Sequence, residues 1–262
     1  MLSDDEFKRV LDAILHLFSE DRRLLELRGS LIIRNLCVLL NAKSIYISLA
    51  AILQGTANAH SHDGFLLDSD FQAEAPVTFE QLNFRSIMVQ TLNLILLTAR
   101  ELDELRLLLR SSLEPDASKE STAVFVDLFS CWCHNPVATL ALCLIAQAYE
   151  LSSALVTLFA NVDITVGFLM QVDKLVQLLE SPVFIQLRLQ LLEVHAPYHP
   201  FLLKSLYGLL MLLPQSSAFA TLSSRLATIS TLQLHLGSAI SITPLKTAPE
   251  LHTLLNSFFT AI

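Results

Sequence analysis

From Ser121 to Leu226 apolar residues recur every three or four positions. The breaks fall at Asn135-Pro136, Ser181-Pro182, Ala196-Pro197 and Pro214-Gln215. Such spacing gathers the apolar side chains of each segment on one helical face. Proline at the junctions suits the first turn of a helix and is excluded from its interior. The pattern therefore dictates helices in series with short connections. Glycine (6) and proline (9) are too scarce among 262 residues for a turn-rich all-β fold. Hydrophobic residues make up 53% and charged residues 16%, against a charged share of about 25% in ordinary soluble domains. Much of each helix must then be covered, by protein or by lipid.

Ahead of that region, Ser3-Asp4-Asp5-Glu6 has the form of a capping box. The spacing of Phe7, Val10, Leu11, Ile14, Leu15 and Phe18 predicts a one-faced helix after it. Further helices are predicted over Leu31–Leu40 and Ile45–Leu53. Residues 55–77 are small, acidic and polar, and read as a mobile insertion. Thr78 with Gln81 opens the next helix, which runs to Ala99. Glu101–Arg110 is a charged amphipathic helix, and Leu113–Glu120 a linker. Two segments alternate with strand-like period two, Ile185–Leu191 and Leu232–Leu236. Ser181-Pro182 is a helix start, so the first is read as helix; the second stays open. Two helices in about 40 residues is the period of HEAT-type repeats. The expected fold is all-α, an α-solenoid of stacked antiparallel helical hairpins, in one domain over 1–262. The tail after 229 is left unassigned.

The stretch FSCWCHNPVATLALCLIAQAYE (Phe129–Glu150) imitates two functional signatures. A zinc site needs four ligands, commonly in pairs two to four residues apart. Cys131 and Cys133 have one residue between them, and Cys37 and Cys143 lie in apolar helical runs without a His or Cys companion. All four are assigned to the core. A membrane span needs about 20 predominantly apolar residues, whereas the run from Val137 stops at Gln147. A solenoid helix between neighbours is apolar all round for a different reason. Gly-rich phosphate loops, G-x-S-x-G elbows and H-E-x-x-H helices do not occur. His60, Ser61, His62 and Asp63 fall in the insertion, where nothing would hold a ligand set. His195, Tyr198 and His199 read as a polar connector, and Asp173 with Lys174 as the solvent edge of a helix. No cofactor is expected. A net charge of −8 without a basic cluster excludes nucleic acid as a partner. Free cysteines and an acidic N-terminus fit the cytoplasm.

Four blocks carry a resemblance: Arg28–Ala42, Ser130–Glu150, Asp163–Glu193 and Leu203–Leu226. Together they resemble the C-terminal region of the vacuolar HEAT-repeat scaffold of the PIKfyve lipid kinase complex. The resemblance implies a non-enzymatic scaffold, peripheral on vacuolar or endolysosomal membranes through its complex. It implies self-association into a homo-oligomer and binding of a Sac-domain phosphoinositide phosphatase. The PIKfyve-type lipid kinase would be held mainly by N-terminal repeats that this chain lacks. The complex governs phosphatidylinositol 3,5-bisphosphate. An enzyme or an integral membrane protein of another type is the alternative.

The candidate assembly surface lies in the second half of the chain. Leu203, Tyr207 and Met211 line one side of a helix whose other side carries Leu202, Leu206, Leu209 and Leu213. One stripe suffices for the neighbouring helix, so the other is available for another hairpin of the solenoid or for another chain. Leu187, Arg188, Tyr198, Phe201, Gln215 and Phe219 complete the candidate interface.

Overall fold

The structure is a computed structural model that describes residues 4–55, 79–114 and 116–236. Among these every regular element is helical. The first three helices are α1 (Asp4–Glu20), α2 (Arg22–Leu24) and α3 (Ser30–Leu39), the last two joined by a π-turn, Leu25–Gly29. Then come α4 (Ala42–Leu53), α5 (Phe79–Thr98), α6 (Asp103–Arg110), α7 (Lys119–Trp132) and α8 (Pro136–Ile145). The series ends with α9 (Tyr149–Leu158), α10 (Val166–Leu178), α11 (Ile185–Gln190), α12 (His199–Leu212) and α13 (Ser217–Leu236).

The helix starts follow local chemistry. Asn41, Ser118, Asn135, Thr165 and Ser216 each accept a backbone N–H three residues on, at 3.0–3.3 Å. Each satisfies one of the amide donors left over in a first turn. The helix expected from Ser181-Pro182 is present, entered through a 3₁₀ turn at Pro182–Phe184, but Ser181 does not cap it: its buried Oγ has no hydrogen-bond partner. Leu232–Leu236, left open by its alternation, is helical and completes α13. The π-turn between α2 and α3 has no sequence signature that predicts it. The Ser3 and Thr78 capping boxes, His60–Asp63 and all of the 55–77 insertion beyond Gly55 lie outside the described residues.

The helices form a two-layered solenoid. In one layer α1 packs on α4, α4 on α7, and α9 on α12; in the other, α3, α5, α8, α10 and α13 follow one another. Short connections link the layers at α7–α8, α8–α9 and α12–α13, which makes those pairs antiparallel hairpins. Helix α8 sits at the centre, and every residue from Val137 to Ile145 is buried. Its position answers the membrane-like sequence: five helices surround it, α5, α6, α7, α9 and α10. Among the described residues no helix is long and apolar enough to cross a membrane. Each fully buried Leu, Val or Phe contributes about 1.5–3 kcal/mol, so the continuous core holds successive hairpins together. Among the described residues, buried polar side chains are paired, apart from Ser181 Oγ and His199 Nδ1. Trp132 Nε1 donates to Asn93 Oδ1 at 3.3 Å, Tyr46 OH to Leu92 O at 3.0 Å, and Thr139 Oγ1 to Trp132 O at 2.7 Å.

One block of architecture occurs twice. A long helix, a 3₁₀ turn and a short helix precede an antiparallel pair, first as α5, Arg100–Leu102, α6, α7 and α8. The order returns as α10, Pro182–Phe184, α11, α12 and α13. In each block an arginine of the short helix reaches back to the end of the long one. Arg106 donates to Leu96 O (2.6 Å) and Ala99 O (2.9 Å); Arg188 donates to Leu179 O and Ser181 O (2.7 Å). Leu96 O and Leu179 O are carbonyls left over at a helix end, whereas Ala99 O and Ser181 O also accept the N–H of Leu102 and Phe184 in the 3₁₀ turns.

Candidate functional site

The second block, α10 to α13, carries the candidate interface. Helix α12 places Leu202, Leu206, Leu209 and Leu213 in the core, as its sequence spacing requires. On the opposite side Tyr207 is 40% exposed and Met211 87% exposed, one turn apart. Leu203, one turn earlier, is half-buried against the core. Tyr207 OH shares a hydrogen bond with Ser230 Oγ of α13 at 2.9 Å, which fixes its ring across the hairpin. Gln215 is exposed in the α12–α13 turn, and Phe219 is half-buried at the start of α13.

The remaining candidates do other work. Leu187 is buried in the chain's own core and has no surface to offer a partner. Arg188 is spent on the two carbonyls that end α10. Phe201 is half-buried against the core. Tyr198 stacks on Tyr149 at 5.6 Å between ring centroids and donates to Glu193 Oε2. So the structure brings Tyr207, Met211 and Gln215 to the surface, leaves Leu187 in the core and holds Arg188 half-buried at the end of α10.

Behind Tyr198 runs a line of paired polar groups. Tyr149 OH donates to Gln190 Oε1 at 2.5 Å, and Gln190 Nε2 to Gln147 Oε1 at 2.8 Å. Gln147 holds the left-handed backbone, φ 59°, that turns α8 into α9. Ala148 N–H closes that turn on Cys143 O at 2.9 Å. Burial, then the hydrogen bond to Glu193, pushes the Tyr198 phenol up to about 12. Burial raises that of Tyr149 as well. Both stay protonated donors at neutral pH, suited to locking a turn and not to moving protons.

The cysteines are equally inert. Burial is the first cause that pushes Cys131 and Cys133 up to about 12 and Cys37 to about 11. A thiol becomes a nucleophile or metal ligand as the thiolate, which burial disfavours. Among the described residues no group of three or more His, Cys, Asp or Glu side chains is placed to hold a metal ion.

Sequence reasoning missed the outer face of α11 and Leu192 just beyond its end. Ile185, Leu189 and Leu192 are 51%, 51% and 54% exposed, while Leu187 and Leu191 between them are buried. The signal lay in comparing the two blocks. The matching places in the first block hold Asp103, Leu107 and Arg110, of which only Leu107 is apolar.

The family model described as "Vacuolar protein 14 C-terminal Fig4p binding" matches residues 22–229. The chain is 45% identical over 235 residues to "Protein VAC14 homolog" of Arabidopsis thaliana, covering 89% of this chain and 28% of that protein. It is 43% identical over 221 residues to the protein of the same name in Schizosaccharomyces pombe, covering 84% and 24%. To "Vacuole morphology and inheritance protein 14" of Saccharomyces cerevisiae it is 34% identical over 228 residues, covering 87% and 22%. The chain therefore spans about a quarter of the length of these relatives. No solved structure gives a significant match.

Proposed function

The chain belongs to the vacuolar protein 14 family, and from that premise we propose that it is a non-enzymatic scaffold module whose partner is the Sac-domain phosphatase Fig4p. Residues 1–262 act as one scaffold domain, with 55–77 as an insertion between α4 and α5. The module self-associates, and through repeats outside this chain its assembly holds a PIKfyve-type lipid kinase. The site of action is the cytoplasmic face of vacuolar or endolysosomal membranes, reached through the complex.

One observation carries the location of the partner surface. Tyr207 and Met211 are exposed on the side of α12 that faces away from the core. Aromatic residues and methionine are enriched at the centre of protein interfaces, and charged residues are depleted there. The exposed face of α11 (Ile185, Leu189), with Leu192 just beyond its end, supplies further apolar area in the same block.

Met211→Asp is the sharper test, because an 87% exposed side chain contributes little to folding. The variant is expected to lose capture of Fig4p, or to shift to a smaller species by light scattering, with helicity and melting temperature unchanged. If both association and capture persist, the surface lies elsewhere. The readouts also separate the two partners: loss of capture alone assigns the stripe to the phosphatase, and loss of mass alone to self-association.

A further inference from the structure

On the other layer the solenoid holds a groove of about 830 Å³ between α5 and α10, above the start of α8. Leu94 and Leu97 form one wall, Val166 and Met170 the other, and Val137 and Ala138 line the floor. Three of these are too exposed to be core: Leu94 at 41%, Met170 at 68% and Val166 at 76%. The lining carries little charge. Asp173 already accepts from Ser216 Oγ (2.5 Å) and Gln177 Nε2 (2.8 Å), and beside it only Lys174 is ionic. An apolar concavity between two helices accepts an amphipathic segment that brings an apolar stripe and no charge.

The chain supplies one. In residues 251–262 the large apolar positions are Leu251, Leu254, Leu255, Phe258, Phe259 and Ile262, alternately three and one apart, and the segment has no Asp, Glu, Lys or Arg. That spacing is one helical stripe, and six large apolar side chains without a charge need a cover. The length of the connection permits it. Helix α13 is described as far as Leu236, and Ser216, just before its start, lines the groove. The return path is about 30 Å for a helix of that length. Residues 237–250 span up to about 46 Å when extended.

We propose that the segment Leu251–Ile262 of the same chain docks its apolar stripe in the groove between α5 and α10. A tether of this length holds the segment at an effective concentration on the order of 1 mM, so even weak docking is populated without a second copy. The α12 stripe is a poorer seat: it lies on an open helix side, and Tyr207 is already bonded to Ser230. The proposal is independent of the function assigned above, since it involves neither α11 nor α12.

The experiment is a disulfide trap in the full chain. The four native cysteines are buried, so a Met170→Cys/Phe258→Cys pair reacts on its own under mild oxidation. The expected product is an intrachain disulfide, faster-migrating on a non-reducing gel and formed in preference to that of a Met211→Cys/Phe258→Cys pair. A second reading needs no cross-link. Phe258→Asp should make Met170→Cys alkylate on the order of tenfold faster, the ratio expected for docking near 0.1 mM at that effective concentration. An interchain product would assign the groove to a second copy, and preference for position 211 would place the segment on α12. Either result, or alkylation unchanged by Phe258→Asp, overturns the proposal.

Discussion

Arg188 stands to α11 as Arg106 stands to α6: each guanidinium turns back on the helix before it and donates to two carbonyls at and just past its end. Arg106 is 4% exposed and also meets Asp103. The two arginines thus fix the sharp turn after the long helix in both blocks. A planar fork of donors suits this task, since one group serves two acceptors in fixed geometry.

Arg106→Met is expected to destabilise the chain by about 2 kcal/mol, because Leu96 O loses its partner and Ala99 O keeps only the long bond from Leu102 N–H, while the volume stays filled. The urea midpoint should fall by about 1 M or more, on the slope usual for small domains. Arg106→Lys should recover only part of the loss. The half-buried Arg188 is expected to cost less, since water can replace its contacts. Equal midpoints for Arg106→Met and the parent chain would mean that the carbonyls are satisfied without it.

Helices, and caps such as Asn135 and Ser216, were legible because each depends on neighbours in sequence. Asn135-Pro136 specifies a helix start wherever it sits, and the spacing of Val124, Phe125, Leu128 and Phe129 specifies a face. The choice between core and surface for a second apolar stripe was legible only for α12, where Leu202 and Leu206 are buried and Met211 is not. In α11 it failed. The helix is six residues long, too short for spacing to decide which side meets α12 and α13, so Leu187 was assigned outward and Leu189 overlooked. Which side is exposed there depends on tertiary packing, which no local pattern encodes.

Alkaline pH should unfold this chain sooner than its charge alone suggests. Burial lifts Cys131 and Cys133 from the ordinary thiol value of 9.0 to about 12, and Cys37 to about 11, so the folded chain keeps protons that the unfolded chain releases. Their stabilising contribution is complete below pH 9 and is lost as pH rises through the folded values. Urea midpoints measured from pH 8 upward should decline beyond pH 9, and less steeply in Cys131→Ala/Cys133→Ala. At pH 8 a thiol reagent should find no reactive cysteine until urea is added. Immediate reaction would show that the thiols are accessible.

Gln147 is the one non-glycine residue with positive φ among those described. Its amide also accepts from Gln190, so the position asks for left-handed tolerance and a side-chain carbonyl together. Gln147→Asn keeps the first and is expected to change stability by less than about 1 kcal/mol. Gln147→Val loses both and should cost about 2 kcal/mol, since a β-branched side chain is strained at this φ and the Gln190 amide is left unpaired. Thermal melts of the two variants decide the matter; a neutral valine would mean the turn can relax.

Gly208 sets how closely α12 approaches α9. A Cβ at this position would run into Val156 Cγ1 well inside van der Waals contact and reach Val156 Cβ at 3.4 Å. Valine is stiff at χ1 in a helix, so it cannot swing away. Two effects oppose each other in Gly208→Ala. Helix propensity favours alanine by about 1 kcal/mol, while overpacking a fitted contact costs about 1–3 kcal/mol. The contact lies between two packed helices, so the steric term should win and the variant should lose about 1 kcal/mol or more. Val156→Ala alone removes two methyl groups and should cost about 1 kcal/mol. Combined, the substitutions fit each other, and the double variant should be more stable than the two single effects added, with a coupling of about 1–2 kcal/mol. Urea unfolding of the four proteins measures that coupling directly. Strict additivity would show that Gly208 and Val156 are not in contact, and that the spacing of α9 and α12 is set elsewhere along the pair.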